Sequence, residues 1–180
     1  MANRQALREL QSRLASRLQA ARNEGASVAW LAAECGGQRL LFPLSQAGEI
    51  FGWTPLQAVP YAEPWFLGVA NLRGNLVGVV DLPLFGKLQA QAQPAPRRAD
   101  PQLAECSLLS FNAALGVQCA LLVDRLAGLR GGEAFVAVQP PADGAPVWHG
   151  GIYTDPQQRQ WQEIDLQALA AAPSFLRIAA

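Results

Sequence analysis

Charge is scarce in this chain. Only 16% of its 180 residues are charged, and 14 basic residues balance 14 acidic ones, where ~25% charged is usual. A surface so thin and balanced in charge argues against a polyanion-binding protein, which would carry a basic face. Histidine occurs once, at His149, which leaves no metal centre built on histidines. The three cysteines, Cys35, Cys106 and Cys119, are far apart and lack zinc spacing. An odd count without close pairs reads as reduced, buried thiols rather than a disulfide framework. No apolar run approaches the about 18 residues of a membrane span. The opening "MANRQALREL" lacks the apolar core of a signal peptide. The expectation is a cytoplasmic protein without membrane insertion.

Catalytic chemistry is equally sparse. No G-x-x-x-x-G-K-S/T phosphate loop occurs, and "RGGEAF" is a glycine turn. Cys35 and Cys119 lie in hydrophobic runs, where thiols are inert, and His149 in "VWHGG" reads as structural. The carboxylates are scattered. A chain this long can bury roughly 70% of its unfolded surface. A large core without a clustered polar site points to a binding module, with no enzyme activity, no cofactor and no metal.

What is present is apolar periodicity. Residues 3–22 place Leu7, Leu10, Leu14 and Leu18 on one helical stripe, with Arg4, Arg8, Arg13, Arg17 and Arg22 around it. This segment, 1–25, is expected to be an amphipathic α-helix, either packed on the body or docking a partner or an anionic surface. From residue 27 the texture is short strands: "SVAWLAAE", "QRLLFPL", "GEIFGW", "FLGVANL" and "NLVGVVDL". "TPLQAVPYAEPW" reads as an ordered loop. Residues 88–104 are rich in Pro, Ala and Gln and read as a connector. About five more strands follow, with a short closing helix at "LQALAAA".

The halves echo one another. "GVANLRGNLVGVVDLPLF" matches "HGGIYTDPQQRQWQEIDLQAL" in pattern, with Asp81 and Asp165 in equivalent places as helix caps. The expectation is an all-β protein of two five-stranded units, closed or nearly closed as small barrels. The first would span 26–87 and the second 105–178, with a short closing helix.

"GVANLRGNLVGVVDL" also carries a resemblance. Gly68, Val69, Asn71, Leu72, Arg73 and Gly74, followed by Val80, Asp81 and Leu82, closely resemble the hallmark of CheW-like domains, the adaptors of bacterial chemosensory arrays. The likeness covers roughly residues 27–178. "LGVQCALLVDRLAGL" is similar to a second segment of the family, in which Asp124 would sit. The extra N-terminal segment and the Pro/Ala-rich insert look most like the PilI-type adaptors of the type IV pilus system that controls twitching motility.

The resemblance implies two five-stranded, SH3-like β-barrels sharing a hydrophobic core. It also implies a non-catalytic adaptor role between two partners: the regulatory domain of a CheA-type histidine kinase and the cytoplasmic hairpin tip of a chemoreceptor. It places Arg73, Asn71, Gly74, Val69 and Gly68 at a receptor groove. A kinase interface would lie on an exposed edge at Glu49, Ile50, Gln46 and Leu44. A monomer is expected in isolation, at membrane-bound arrays in the cell, with no nucleic acid bound. Gly78 stands where the family usually has proline. On physical grounds Arg73 has two open uses, binding carboxylates of a partner or tying the two barrels together. Leu72, Leu76 and Val77 are expected in the core. The competing reading is a generic small-barrel module without array function.

Overall fold

The computed structural model describes residue 9 and residues 11–14, 29–90 and 103–180. Most of the expected N-terminal helix and of the connector lie outside these residues. Eleven strands form two sheets: β1 (Ala29–Cys35), β2 (Gln38–Pro43), β3 (Ala47–Gly52), β4 (Phe66–Leu72), β5 (Asn75–Val80), β6 (Ser107–Phe111), β7 (Cys119–Val123), β8 (Arg125–Gly131), β9 (Ala137–Gln139), β10 (His149–Thr154) and β11 (Gln160–Ile164). Helix α1 (Leu82–Gln89) follows β5, and α2 (Leu166–Ala171) and α3 (Pro173–Leu176) follow β11.

Sheet A runs β8-β1-β2-β11-β10-β9, and sheet B runs β3-β6-β7-β5-β4. The strand counts are six and five rather than five and five. Neither sheet is one half of the chain, so the expected division at 26–87 and 105–178 does not describe the strands. Each half supplies a first hairpin (β1–β2 or β6–β7), a third strand (β3 or β8) and a second hairpin (β4–β5 or β10–β11). The third strand and second hairpin of each half pair with the first hairpin of the other. The junction is parallel in both sheets, β11 with β2 and β5 with β7. Parallel neighbours cannot be joined by a tight hairpin, and here they come from opposite halves.

The alternation of side chains explains three packed layers. On β1, Leu31, Ala33 and Cys35 face a large core between the sheets, while Trp30 and Ala32 face the interior of sheet A. On β7, Cys119, Leu121 and Val123 join the same shared core, while Ala120 and Leu122 face the interior of sheet B. Strands apolar on both faces lose the polar alternation of a half-exposed strand, which is why "CALLV" has no polar residue. Trp65, Phe85, Trp148 and Phe175 fill the shared core with ring contacts of 4.9–5.8 Å.

The internal echo is real and deeper than its acidic caps. Asp81 Oδ1 accepts the Leu84 N–H at 3.0 Å, and Asp165 Oδ1 accepts the Gln167 and Ala168 N–H groups at 3.0 Å. The Asp81 N–H donates to the Trp65 carbonyl and the Asp165 N–H to the Trp148 carbonyl, both at 2.9 Å. A tryptophan therefore opens each repeat as an aspartate closes it. Gly78 also has a structural reason: a Cβ there would stand 2.8 Å from the Phe66 ring.

Candidate partner-binding site

The hairpin between β4 and β5 turns on two residues, Arg73 and Gly74. Both have positive φ, 51° and 87°, as a two-residue type I′ turn requires. Asn71 Oδ1 accepts the Gly74 N–H at 2.8 Å and locks the turn. Asn or Gly suits the first turn position; a long β-carbon-bearing side chain there costs ~1 kcal/mol in backbone strain. Arg73 thus holds its place against local preference.

Its side chain reaches across sheet B. Arg73 Nη1 lies 2.6 Å from Glu49 Oε2, with the arginine side chain 74% exposed. The guanidinium carbon sits 5.6 Å from the Phe51 ring centroid, close enough for a cation–π contact. Glu49 and Phe51 belong to β3, and β3 and β4 are the outermost strands of the sheet. The clasp joins two edges of one sheet. It does not tie the two barrels together.

Beside this clasp a pocket of about 380 Å³ opens, lined in part by Glu49, Phe51, Leu72, Asn75, Ser110 and Phe111. Ser110 Oγ accepts the Glu49 N–H at 2.7 Å and donates to the Glu49 carbonyl at 3.1 Å, which fixes the acidic wall. Gly48 is needed for that approach, because a Cβ would collide with Ser110.

The expected receptor-groove residues are all on this hairpin, in different roles. Asn71 and Gly74 make the turn. Gly68 has φ 139°, and a Cβ there would collide with the Gln57 carbonyl. Val69 exchanges backbone bonds of 2.8 and 2.9 Å with Gln57, so the outer edge of β4 is partly covered. Leu72 and Val77 are buried as expected, but Leu76 is 64% exposed. It alternates with Val77 along β5, which turns it outward at the tip.

The expected kinase-interface residues divide. Glu49 and Ile50 lie on the edge strand β3. Leu44, only 6% exposed, is in the shared core. Gln46 is engaged internally: its Oε1 accepts the Leu166 N–H at 2.8 Å and its Nε2 donates to Asp165 Oδ1 at 3.1 Å. It ties the β2–β3 crossover to the start of α2. Leu44 and Gln46 are therefore structural, because the chain changes sheet at this turn. Phe51 was missed as a site residue, although its two-residue spacing from Glu49 was a usable signal. Among the described residues no cluster of His, Cys, Asp and Glu could hold a metal.

The family model for the CheW-like domain matches residues 29–174. This chain belongs to the CheW-like family. CheW-like proteins are non-catalytic scaffolds and adaptors of chemotaxis-type signalling that couple receptors to CheA kinases. The chain is 27% identical to the protein PilI of Pseudomonas aeruginosa over 171 residues, covering 93% of this chain and 89% of that one. It is 38% identical to a probable chemotaxis protein CheW of Rhizobium etli over 52 residues, 29% of this chain and 34% of the relative. The crystal structure of the scaffolding protein TtCheW from Thermoanaerobacter tengcongensis superimposes with a TM-score of 0.57 at 14% identity, covering 77% of this chain and 89% of that one. That likeness confirms the all-β, CheW-like fold. Among the described residues no helix is long and apolar enough to cross a membrane.

Proposed function

We propose that this CheW-like protein couples the cytoplasmic hairpin tip of a chemoreceptor to the regulatory domain of a CheA-type kinase, in a chemosensory system that controls type IV pili and twitching motility. The observation that carries this reading is Arg73, an exposed arginine held at positive φ on a turn that a smaller residue would fit better. Backbone strain at an exposed side chain is a mark of function. Its guanidinium is aimed by Glu49 and Phe51 and can exchange one carboxylate for another. The receptor tip would meet the hairpin at Arg73, Asn71, Gly74 and Val69, with Gly68 shaping its base. The kinase domain would meet the β3 edge at Glu49 and Ile50. Localisation at membrane receptor arrays follows from those partners. The assignment to pili is supported by the match to PilI over nearly the whole chain.

Titration of the full chain with a receptor-tip fragment and a kinase regulatory domain from the same genome tests the reading. Arg73→Asn should weaken receptor-tip binding tenfold or more, while the melting temperature holds or rises as the turn relaxes. Unchanged receptor binding would remove Arg73 from the interface. Absence of binding to either partner by the wild-type chain would sink the adaptor role.

A further inference from the structure

The pocket beside the clasp has one charged wall. It spans the gap between β3 and β5, which sheet B separates by β6 and β7. Its volume, about 380 Å³, lies at the lower end of ligand clefts, roughly 300–1,000 Å³. Among the described residues that line it, Glu49 alone has an acidic or basic side chain apart from the Cys119 thiol. Burial raises the pKa of that thiol, which keeps it neutral. The Ser110 hydroxyl is spent on the Glu49 backbone. The Asn112 side-chain amide is spent too: its oxygen accepts the Ala114 N–H and its nitrogen donates to the Ser45 carbonyl, both at 3.0 Å. The lining therefore offers one carboxylate together with the rings of Phe51 and Phe111. An anion would meet no cation there, whereas a cation meets a carboxylate.

The molecule itself shows which cation suits these groups. The Arg73 guanidinium pairs with the Glu49 carboxylate at 2.6 Å and stands 5.6 Å from the Phe51 ring centroid, yet Arg73 is not among the residues that line the pocket. It meets both groups from outside. A planar guanidinium can pair with a carboxylate and stack on a ring at once, which a compact ammonium does less well. The aliphatic stem of a long basic side chain can lie on apolar walls such as Leu72 and Val77. Glu49 and Phe51 belong to β3, the edge assigned to the kinase domain. We propose that the pocket is a socket for an arginine side chain of the kinase regulatory domain, whose guanidinium displaces that of Arg73 from Glu49 and Phe51. This inference rests on the adaptor reading and names what its kinase face recognises.

The test uses the full chain in four forms, wild type, Glu49→Gln, Arg73→Asn and Ala113→Trp, each checked for an intact melting transition. Ala113 is an exposed residue of the pocket wall in the 3-10 turn after β6, so tryptophan there fills the pocket without touching β3. The probe is N-acetyl-arginine methylamide at millimolar concentration, with the neutral isostere N-acetyl-citrulline methylamide beside it. Binding is followed by the backbone amide resonances of Gly48, Ser110 and Gln118. The arginine probe should shift them and the citrulline probe should not. Glu49→Gln and Ala113→Trp should abolish the shifts. Arg73→Asn should tighten the probe about twofold, since an exposed ion pair no longer competes. The kinase regulatory domain should bind Glu49→Gln and Ala113→Trp tenfold or more weakly, as loss of a hydrogen-bonded charge pair implies. No shift from the arginine probe, equal shifts from citrulline, or shifts that survive Glu49→Gln overturn the socket. Kinase binding unchanged in Ala113→Trp also overturns it and leaves the adaptor reading standing. No kinase binding by the wild type overturns both.

Discussion

Inside sheet A, Trp30 and Trp161 stand with Ala32 and Leu41 against the half-buried Phe135 and Tyr153; inside sheet B, Ala70, Val79, Ala120 and Leu122 are buried together with no aromatic ring among the fully buried residues. The strand plans match, yet the fillings differ in kind. Each indole of sheet A ends on a carboxylate: Trp30 Nε1 donates to Glu163 Oε1 at 2.7 Å and Trp161 Nε1 to Asp155 Oδ2 at 3.1 Å. Buried aromatic groups with satisfied polar ends fix one arrangement. Sheet B is aliphatic at its buried centre, with Phe51 and Trp53 packed half-buried against it, and the exposed clasp of Arg73 and Glu49 and the neighbouring pocket belong to it. One barrel is pinned by directional bonds, and the other carries the exposed clasp and the pocket proposed to meet partners.

Trp161→Ala would break that contrast most severely. It empties the interior of sheet A and removes one donor from Asp155, which keeps its bonds from the Arg159 guanidinium and from the Gln157 and Arg159 amides, and a loss of ~4 kcal/mol is expected in denaturant unfolding. Leu122→Ala, the comparable deletion inside sheet B, should cost ~3 kcal/mol. A reversed order would show that sheet B carries the greater share of stability.

The acid limb of stability sharpens the comparison further. Burial pushes the Asp155 carboxyl up, but hydrogen bonds from the Trp161 indole and from the Arg159 amide and guanidinium outweigh it and hold the pKa down at about 2, from an ordinary value of 3.8. A depressed folded pKa stabilises the native state above the unfolded value, and that contribution is lost as pH falls through the folded value. Unfolding monitored between pH 5 and pH 2 should therefore show a loss that begins near pH 4 and that Asp155→Asn flattens. An identical acid limb in the variant would place the sensitivity elsewhere.

The smallest effect should come from the clasp itself. A double-mutant cycle on Arg73→Ala and Glu49→Ala should give a coupling of ~0.5 kcal/mol, as usual for exposed ion pairs, and less at high salt. Coupling above ~2 kcal/mol would make the clasp a structural brace of sheet B rather than a surface poised for a partner.

Much of this was legible locally. The short apolar run "AWLAAEC" and the turn at Arg73–Gly74 are each written within a few residues of sequence. So are the caps at Asp81 and Asp165. The tryptophans at 65 and 148 were also in plain view, but their role depends on carbonyls that meet aspartate amides across a strand pair. Leu44 and Gln46 could not be separated from Glu49 and Ile50 by inspection, since nothing nearby marks where the chain leaves sheet A for sheet B.

The sequence by itself determined that the chain is all-β, that its strands come in two related sets and that one glycine-flanked hairpin carries an arginine. These are short-range properties, set by side-chain alternation and by turn chemistry. Only the tertiary structure decided that the two sets exchange their third strands and second hairpins, that Gln46 bonds to the start of α2, and that Arg73 closes on Glu49. Each of those contacts joins residues distant in the chain, and short-range alternation does not specify which distant strand a given edge will meet.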